Sequence, residues 1–226
     1  MLLSKSLTLL LLVVAACVVR GAEPLGPFFE PAQPFFHAQV EIAPRATADA
    51  PDSAGNFVVR GVLLPLGAGH CAVFDQELLR MAGVWRVPAG SPLVTLDTMA
   101  QISYAASTRK ASVKHPRPTG PLLLTSGMQP GISRARDFSM PPIDPRPPAR
   151  EGDVGRGALP ADFARYGGLE LTEAGVVLRY IVSTAEVRER LEASGAPALR
   201  LVRHFEISAT DRAFHLTLGQ LAGGRV

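Results

Sequence analysis

The sequence predicts a mainly β fold: an antiparallel, sandwich-like or meander sheet with a long proline-rich loop. Three observations lead there. Short runs of β-branched and aliphatic residues recur over Asn56–Phe74 and again over Leu169–Leu218. Turn-forming residues separate these runs at short intervals, the mark of many short strands. Ten of the twenty prolines lie between His115 and Pro160, where missing amide hydrogens rule out a central strand.

The chain of 226 residues is long enough for one sizeable core with appendages. It begins Met1-Leu2-Leu3-Ser4-Lys5, continues uncharged from Leu7 to Val19, and reaches small residues before Glu23-Pro24. A basic start, a short apolar run and a small-residue cleavage region read as a secretory signal over residues 1–22, too short to span a bilayer comfortably. The expected protein is therefore exported, periplasmic or extracellular, with no membrane span in the mature chain. Val14-Ala15-Ala16-Cys17 offers the alternative of a lipoprotein lipidated at Cys17. Either way Cys71 is left without an internal disulfide partner.

Residues 23–55 are rich in proline and alanine and read as an extended N-terminal arm, anchored by Phe28-Phe29 and Phe35-Phe36, with one short strand at Ala38–Ile42. The β-rich domain is expected over 56–226. In it, Asn56–Leu66 and Cys71–Phe74 flank Gly67-Ala68-Gly69 as a hairpin. Gln76–Ala82 fits a helical turn or a bulged strand equally, and Val84–Val87 and Leu93–Tyr104 add short strands. The proline-rich loop covers 115–160, with Leu122–Thr125 as an edge strand. Beyond it, Leu169–Leu171 and Val176–Ser183 flank Thr172-Glu173-Ala174-Gly175 as a second hairpin. Thr184–Ala193 is helical by composition and equally compatible with a strand. Leu199–Ile207 alternates, except that Arg203 interrupts the apolar face and needs a partner if it points inward.

Several chemistries lack their residues. A covalently attached haem needs Cys-x-x-Cys-His, which this chain does not contain, and no other cofactor is expected. His37, His70, His115, His204 and His215 are scattered; only His70-Cys71 with Asp75 suggests a metal, and adjacent strand residues diverge. Ser107-Thr108-Arg109-Lys110 matches Ser-x-x-Lys without the downstream elements of the acyl-transfer enzymes. Asp75 and Glu77, two apart, fit either paired carboxylates for glycoside hydrolysis or a strand end with Asp75 as cap. Trp85 fits a sugar platform or the core.

The formal charge of +3 includes Lys5 and Arg20 of the signal, so the remainder is nearly neutral. Its cations are almost all arginine, and Asn56 is the only asparagine, a pattern of GC-rich codon usage rather than of nucleic-acid binding. One charge feature stands out. Thr98–Arg136 holds no acid but carries Arg109, Lys110, Lys114, Arg117, Arg134 and Arg136, a solvated loop or a face for a polysaccharide or other polyanion.

The order of "NFVVRGVLLPLG", "FDQELLR" and Trp85 resembles an uncharacterised N-terminal domain of large secreted bacterial proteins. The likeness continues in "PFFHAQVEI", in Gly127–Gly131, in "DPRPP" with "GRGALP", and in "GLELTEAGVVLRYIVSTAEV". It implies a place ahead of a propeller-like sugar-dehydrogenase module and a haem-binding cytochrome c domain, either of which becomes an expected partner. Gln76-Glu77 departs from the Thr-Asp more usual there. The stop after Val226 is read as a stand-alone copy, a split gene or a fragment. The functional expectation is a secreted, non-catalytic accessory module that recognises a glycan or docks on an electron-transfer partner. Its candidate ligand-binding residues are Asp75, Glu77, Trp85, Arg109, Lys110, Lys114 and Arg117. The alternative is a carbohydrate-active enzyme using Asp75 or Glu77.

Overall fold

A computed structural model describes residues 33–47, 50–95, 115–127, 129–134, 159–194 and 200–218, with the backbone alone described at 44–47 and 50–55. The expected signal segment 1–22, the anchor Phe28-Phe29, residues 96–104 of the expected strand Leu93–Tyr104, and Ser107, Arg109, Lys110, Lys114, Arg136 and Asp144–Pro148 lie outside the described residues. All elements below belong to the unit Pro34–Val226.

The first sheet is an antiparallel meander of β1 (Phe36–Thr47), β2 (Ala50–Gly67), β3 (His70–Asp75), β4 (Arg80–Arg86) and β5 (Leu122–Thr125), paired in chain order. The β2–β3 connection has positive φ at both Ala68 (50°) and Gly69 (71°), the twist that a tight hairpin between right-twisted strands requires. β3 is buried at all six positions and β4 at its first six. That explains the unbroken apolar runs: β3 and β4 are covered on both faces, so neither face selects for polar residues there.

One face carries Val62, Leu64, Ala72, Phe74, Met81 and Val84; the other carries Val40, Leu63, Cys71, Val73, Ala82 and Trp85. The alternation survives a bulge, where Val73 and Phe74 face Gly83 and Met81 with Ala82 as the extra residue. Trp85 is wholly buried and donates its indole N–H to the Leu93 carbonyl at 2.8 Å. Replacing a buried aromatic of this size by alanine typically costs about 3–5 kcal/mol. Gln76–Leu79 is a turn leading into the bulged β4, so the helical alternative for 76–82 is not adopted.

After β6 (Ile132–Ser133), the second sheet is also a meander: β7 (Ala164–Thr172), β8 (Gly175–Val182), β9 (Ala185–Ser194) and β10 (Arg200–Ile207), in the order β10-β9-β8-β7. β11 (His215–Leu216) returns to pair with β6. The β7–β8 hairpin closes with Thr172 opposite Gly175, whose φ of 112° suits glycine. β9 settles the ambiguous stretch as a strand. Its burial alternates residue by residue through Ala185, Val187, Glu189 and Leu191, and only a period of two puts these four on one face.

The sheets meet through one core, in which the Phe74 and Tyr180 rings stack at 5.9 Å beside Leu178, Val182, Val187 and Leu191. Among the described residues there is no helix, and none is long and apolar enough to cross a membrane. Arg203 does point inward and finds its partner. Its Nε lies 2.6 Å from Glu189 Oε1, with the two side chains 8% and 0% exposed, and Tyr180 donates its hydroxyl to Glu189 Oε2 at 2.9 Å. Arg203 Nη1 also donates to the Thr217 carbonyl at 2.9 Å, tying the β11 segment to the sheet.

This triad generates a test. Arg203→Met should destabilise the domain by about 3–5 kcal/mol, because Glu189 is left buried and uncompensated. A combined Tyr180→Phe, Glu189→Leu, Arg203→Met variant should regain most of that loss in denaturant titrations, since no charge at this position is then left uncompensated.

Candidate functional site

Asp75 ends β3, Arg80 begins β4, and the ladder sets them opposite each other across the turn Gln76–Leu79. Asp75 Oδ1 accepts from the Glu77 N–H at 3.0 Å and the Leu78 N–H at 3.3 Å, as a carboxylate capping a turn does. Its Oδ2 takes Arg80 Nε at 3.1 Å. Leu79 completes the turn at a φ of 48°, a region that costs a branched residue about 1–2 kcal/mol, so tertiary contacts must hold it there.

Arg80 supplies them. Nη2 donates to Asn56 Oδ1 at 2.9 Å and Nη1 to the Gly127 carbonyl at 2.6 Å, while Asn56 Nδ2 donates to the Ser126 carbonyl at 2.8 Å. Arg80 is 1% exposed and Asp75 3%. Burial lowers the Arg80 pKa from its ordinary value and Asp75 raises it again; the guanidinium stays protonated. The Gly131 N–H donates to the Leu78 carbonyl at 2.8 Å, and the Leu159 N–H to that of Glu77 at 3.0 Å. Gly131 has no alternative, because a Cβ there would overlap the Leu79 carbonyl. Four of the stretches that carry the resemblance therefore meet around one turn.

The candidate residues separate. Asp75 lies inside this network, Glu77 is half-buried in the turn, and Trp85 is in the core on the opposite face from Phe74. Arg117, with a side chain 55% exposed, pairs with Glu41 at 2.7 Å. Arg134, equally exposed, lies 3.6 Å from Asp162 and over the Phe163 ring. Burial pushes the Cys71 thiol well above its ordinary pKa, which keeps it protonated and unreactive. His70 is buried, and neither of its ring nitrogens has a hydrogen-bond partner among the described residues. No three of His, Cys, Asp or Glu among the described residues stand close enough to hold a metal ion.

Sequence reasoning passed over Arg80, Asn56 and Ser126. The available signal was Asn56 itself, a lone asparagine in a composition that otherwise excludes it.

Among the described residues, two surface clefts are of interest. One, of about 550 Å³, is floored by Arg190, Glu192 and His204, which already pair with one another: Glu192 accepts from Arg190 and lies 3.2 Å from His204 Nε2. The other, of about 640 Å³, lies between β1, β2 and β7 and is lined by His37, Gln39, Arg60, Gln76 and Tyr166. The Tyr166 hydroxyl is buried without a hydrogen-bond partner among the described residues, and burial pushes its pKa up to about 12.

A family model described as a domain of unknown function (DUF6797) matches residues 72–189, just over half of the chain. No curated protein and no solved structure matches it. The matched span runs from β3 to Glu189 and so takes in the Asp75–Arg80 turn, Gly131, Leu159 and the Tyr180–Glu189 contact.

The two buried tyrosines predict alkaline behaviour. Both are raised from an ordinary value of 10.0 by burial, Tyr180 further than Tyr166 and with Glu189 adding to it. Above pH 10 the unfolded chain loses these protons while the folded chain keeps them. Stability is therefore present below pH 10 and falls as pH rises toward about 12. Denaturation midpoints measured across that range should show the fall, and Tyr166→Phe should make it shallower.

Proposed function

This chain belongs to the DUF6797 family of domains of unknown function, and from that premise we propose that it is an exported, non-catalytic accessory module that binds an anionic glycan. The observation that carries the reading is a division of charge. Asp75 is buried against Arg80, and Glu189 against Tyr180 and Arg203, whereas the described cations of the acid-free stretch, Arg117 and Arg134, stand at the surface. A rigid scaffold with cations on a peripheral segment suits recognition of a polyanion.

The catalytic alternative draws no support from Asp75, whose two oxygens already accept from two backbone amides and a guanidinium. The partner in this reading is a propeller-like sugar-dehydrogenase module or a cytochrome c domain, as the resemblance implies, with the module holding the glycan near it. Export through residues 1–22 is part of the same proposal.

Replacing Arg109, Lys110, Lys114 and Arg117 together by glutamine tests it. Retention of the wild type on a heparin column should fall steeply with salt, since screening acts over about 8 Å at physiological ionic strength. The variant should lose retention with its melting temperature nearly unchanged, because an exposed pair such as Arg117–Glu41 contributes about 0–1 kcal/mol. Undiminished retention by the folded variant would refute the proposal.

A further inference from the structure

We propose that the cleft between β1, β2 and β7 is a binding site for a glycan unit bearing one carboxylate, a uronic-acid type of sugar. The assignment rests on the glycan-binding reading above and gives it a location and a ligand class.

The lining chemistry makes the case. Gln76 Nε2 lies 2.9 Å from His37 Nδ1. An amide nitrogen only donates, so Nδ1 accepts, and in the neutral imidazole the proton then sits on Nε2, which can donate outward. The same bond leaves the Gln76 amide oxygen as an acceptor, and Gln39 brings a second amide with both functions. Hydroxyl groups both donate and accept. A wall that alternates donors and acceptors within one cleft therefore suits a polyhydroxylated ligand better than an apolar or a purely anionic one.

Two further features narrow the class. Among the described residues no carboxylate lines the cleft and Arg60, an exposed arginine, is its permanent cation, so the cleft disfavours cations and complements a single negative charge. The Tyr166 hydroxyl, buried and without a partner among the described residues, is the kind of group whose cost falls when a ligand hydroxyl reaches it.

The backbone keeps the cleft open. β7 bulges between Tyr166 and Gly168, so Gly167 has no opposite residue in the ladder, and Gly168 has a φ of 128° that side chains rarely adopt. Gly167 and Gly168 thus add no side chain to the β7 wall of the cleft.

The experiment is calorimetric titration of the wild-type protein with a galacturonic acid trimer and, separately, with a neutral trimer, repeated with Arg60→Gln and Tyr166→Phe. The uronate should bind the wild type about tenfold more tightly than the neutral sugar, the worth of one charge-assisted hydrogen bond. Arg60→Gln should remove that difference, and Tyr166→Phe should weaken both sugars alike while the circular dichroism spectrum stays unchanged. No uronate binding to the folded wild type, or binding that neither variant alters, overturns the assignment. The heparin measurement separates the two ideas. Trimer binding without effect of the four-cation variant on retention would leave this site standing and refute the peripheral cations, and the opposite pattern would refute this site alone.

Discussion

The ion pair of Asp75 with Arg80 fixes the rest of the first sheet. It clamps the β3–β4 turn from within, holds Leu79 in an unfavourable backbone conformation, and reaches through Arg80 to Asn56 on β2 and to the carbonyl of Gly127 just past β5. One guanidinium thereby links segments that are far apart in the chain. A buried pair of this sort is weak evidence of net stability, because desolvation offsets the attraction, but it penalises every arrangement in which either charge is left alone. The apolar residues around it accept many packings; the five directional donors of arginine accept few.

The same device recurs in the second sheet with a different membership. Glu189 is the only acid on the inner face of β9, and it is satisfied from a neighbouring strand on each side, by Tyr180 of β8 and Arg203 of β10. Each sheet therefore has a polar centre that sets strand register. A slip of one residue would turn Glu189 to solvent and put Arg188 or Arg190 into the core, so the charge pattern enforces what the apolar pattern alone leaves loose.

Much of this was legible beforehand. The β class, the two hairpins and the edge position of Leu122–Thr125 follow from turn chemistry and proline placement, which act locally and leave a local mark. The need of Arg203 for a partner was visible because a charge in an apolar alternation has no other resolution. The identity of that partner was not, since Glu189 sits in a stretch, Ala185–Ser194, whose composition suits a helix and whose period of two emerges only against a core. Asp75 was visible as a cap, whereas its bond to Arg80, and through it to Asn56, depends on a register that no local signal specifies. The cleft with Tyr166 was invisible for the same reason: His37, Arg60, Gln76 and Tyr166 come from four separate stretches.

Both sheets are meanders, and each is completed by its own portion of the chain, 36–125 for the first and 164–207 for the second. Contacts within a meander join neighbours in sequence, so each half can assemble without waiting for distant residues. The halves are unequal in what they tolerate alone. Once formed, the first sheet presents Val62, Leu64, Phe74, Met81 and Val84 on a face whose cover is Leu178, Tyr180, Val182, Val187 and Leu191. A chain made from its N-terminus carries that uncovered face through the synthesis of more than fifty further residues, and during that interval its apolar surface is open to aggregation.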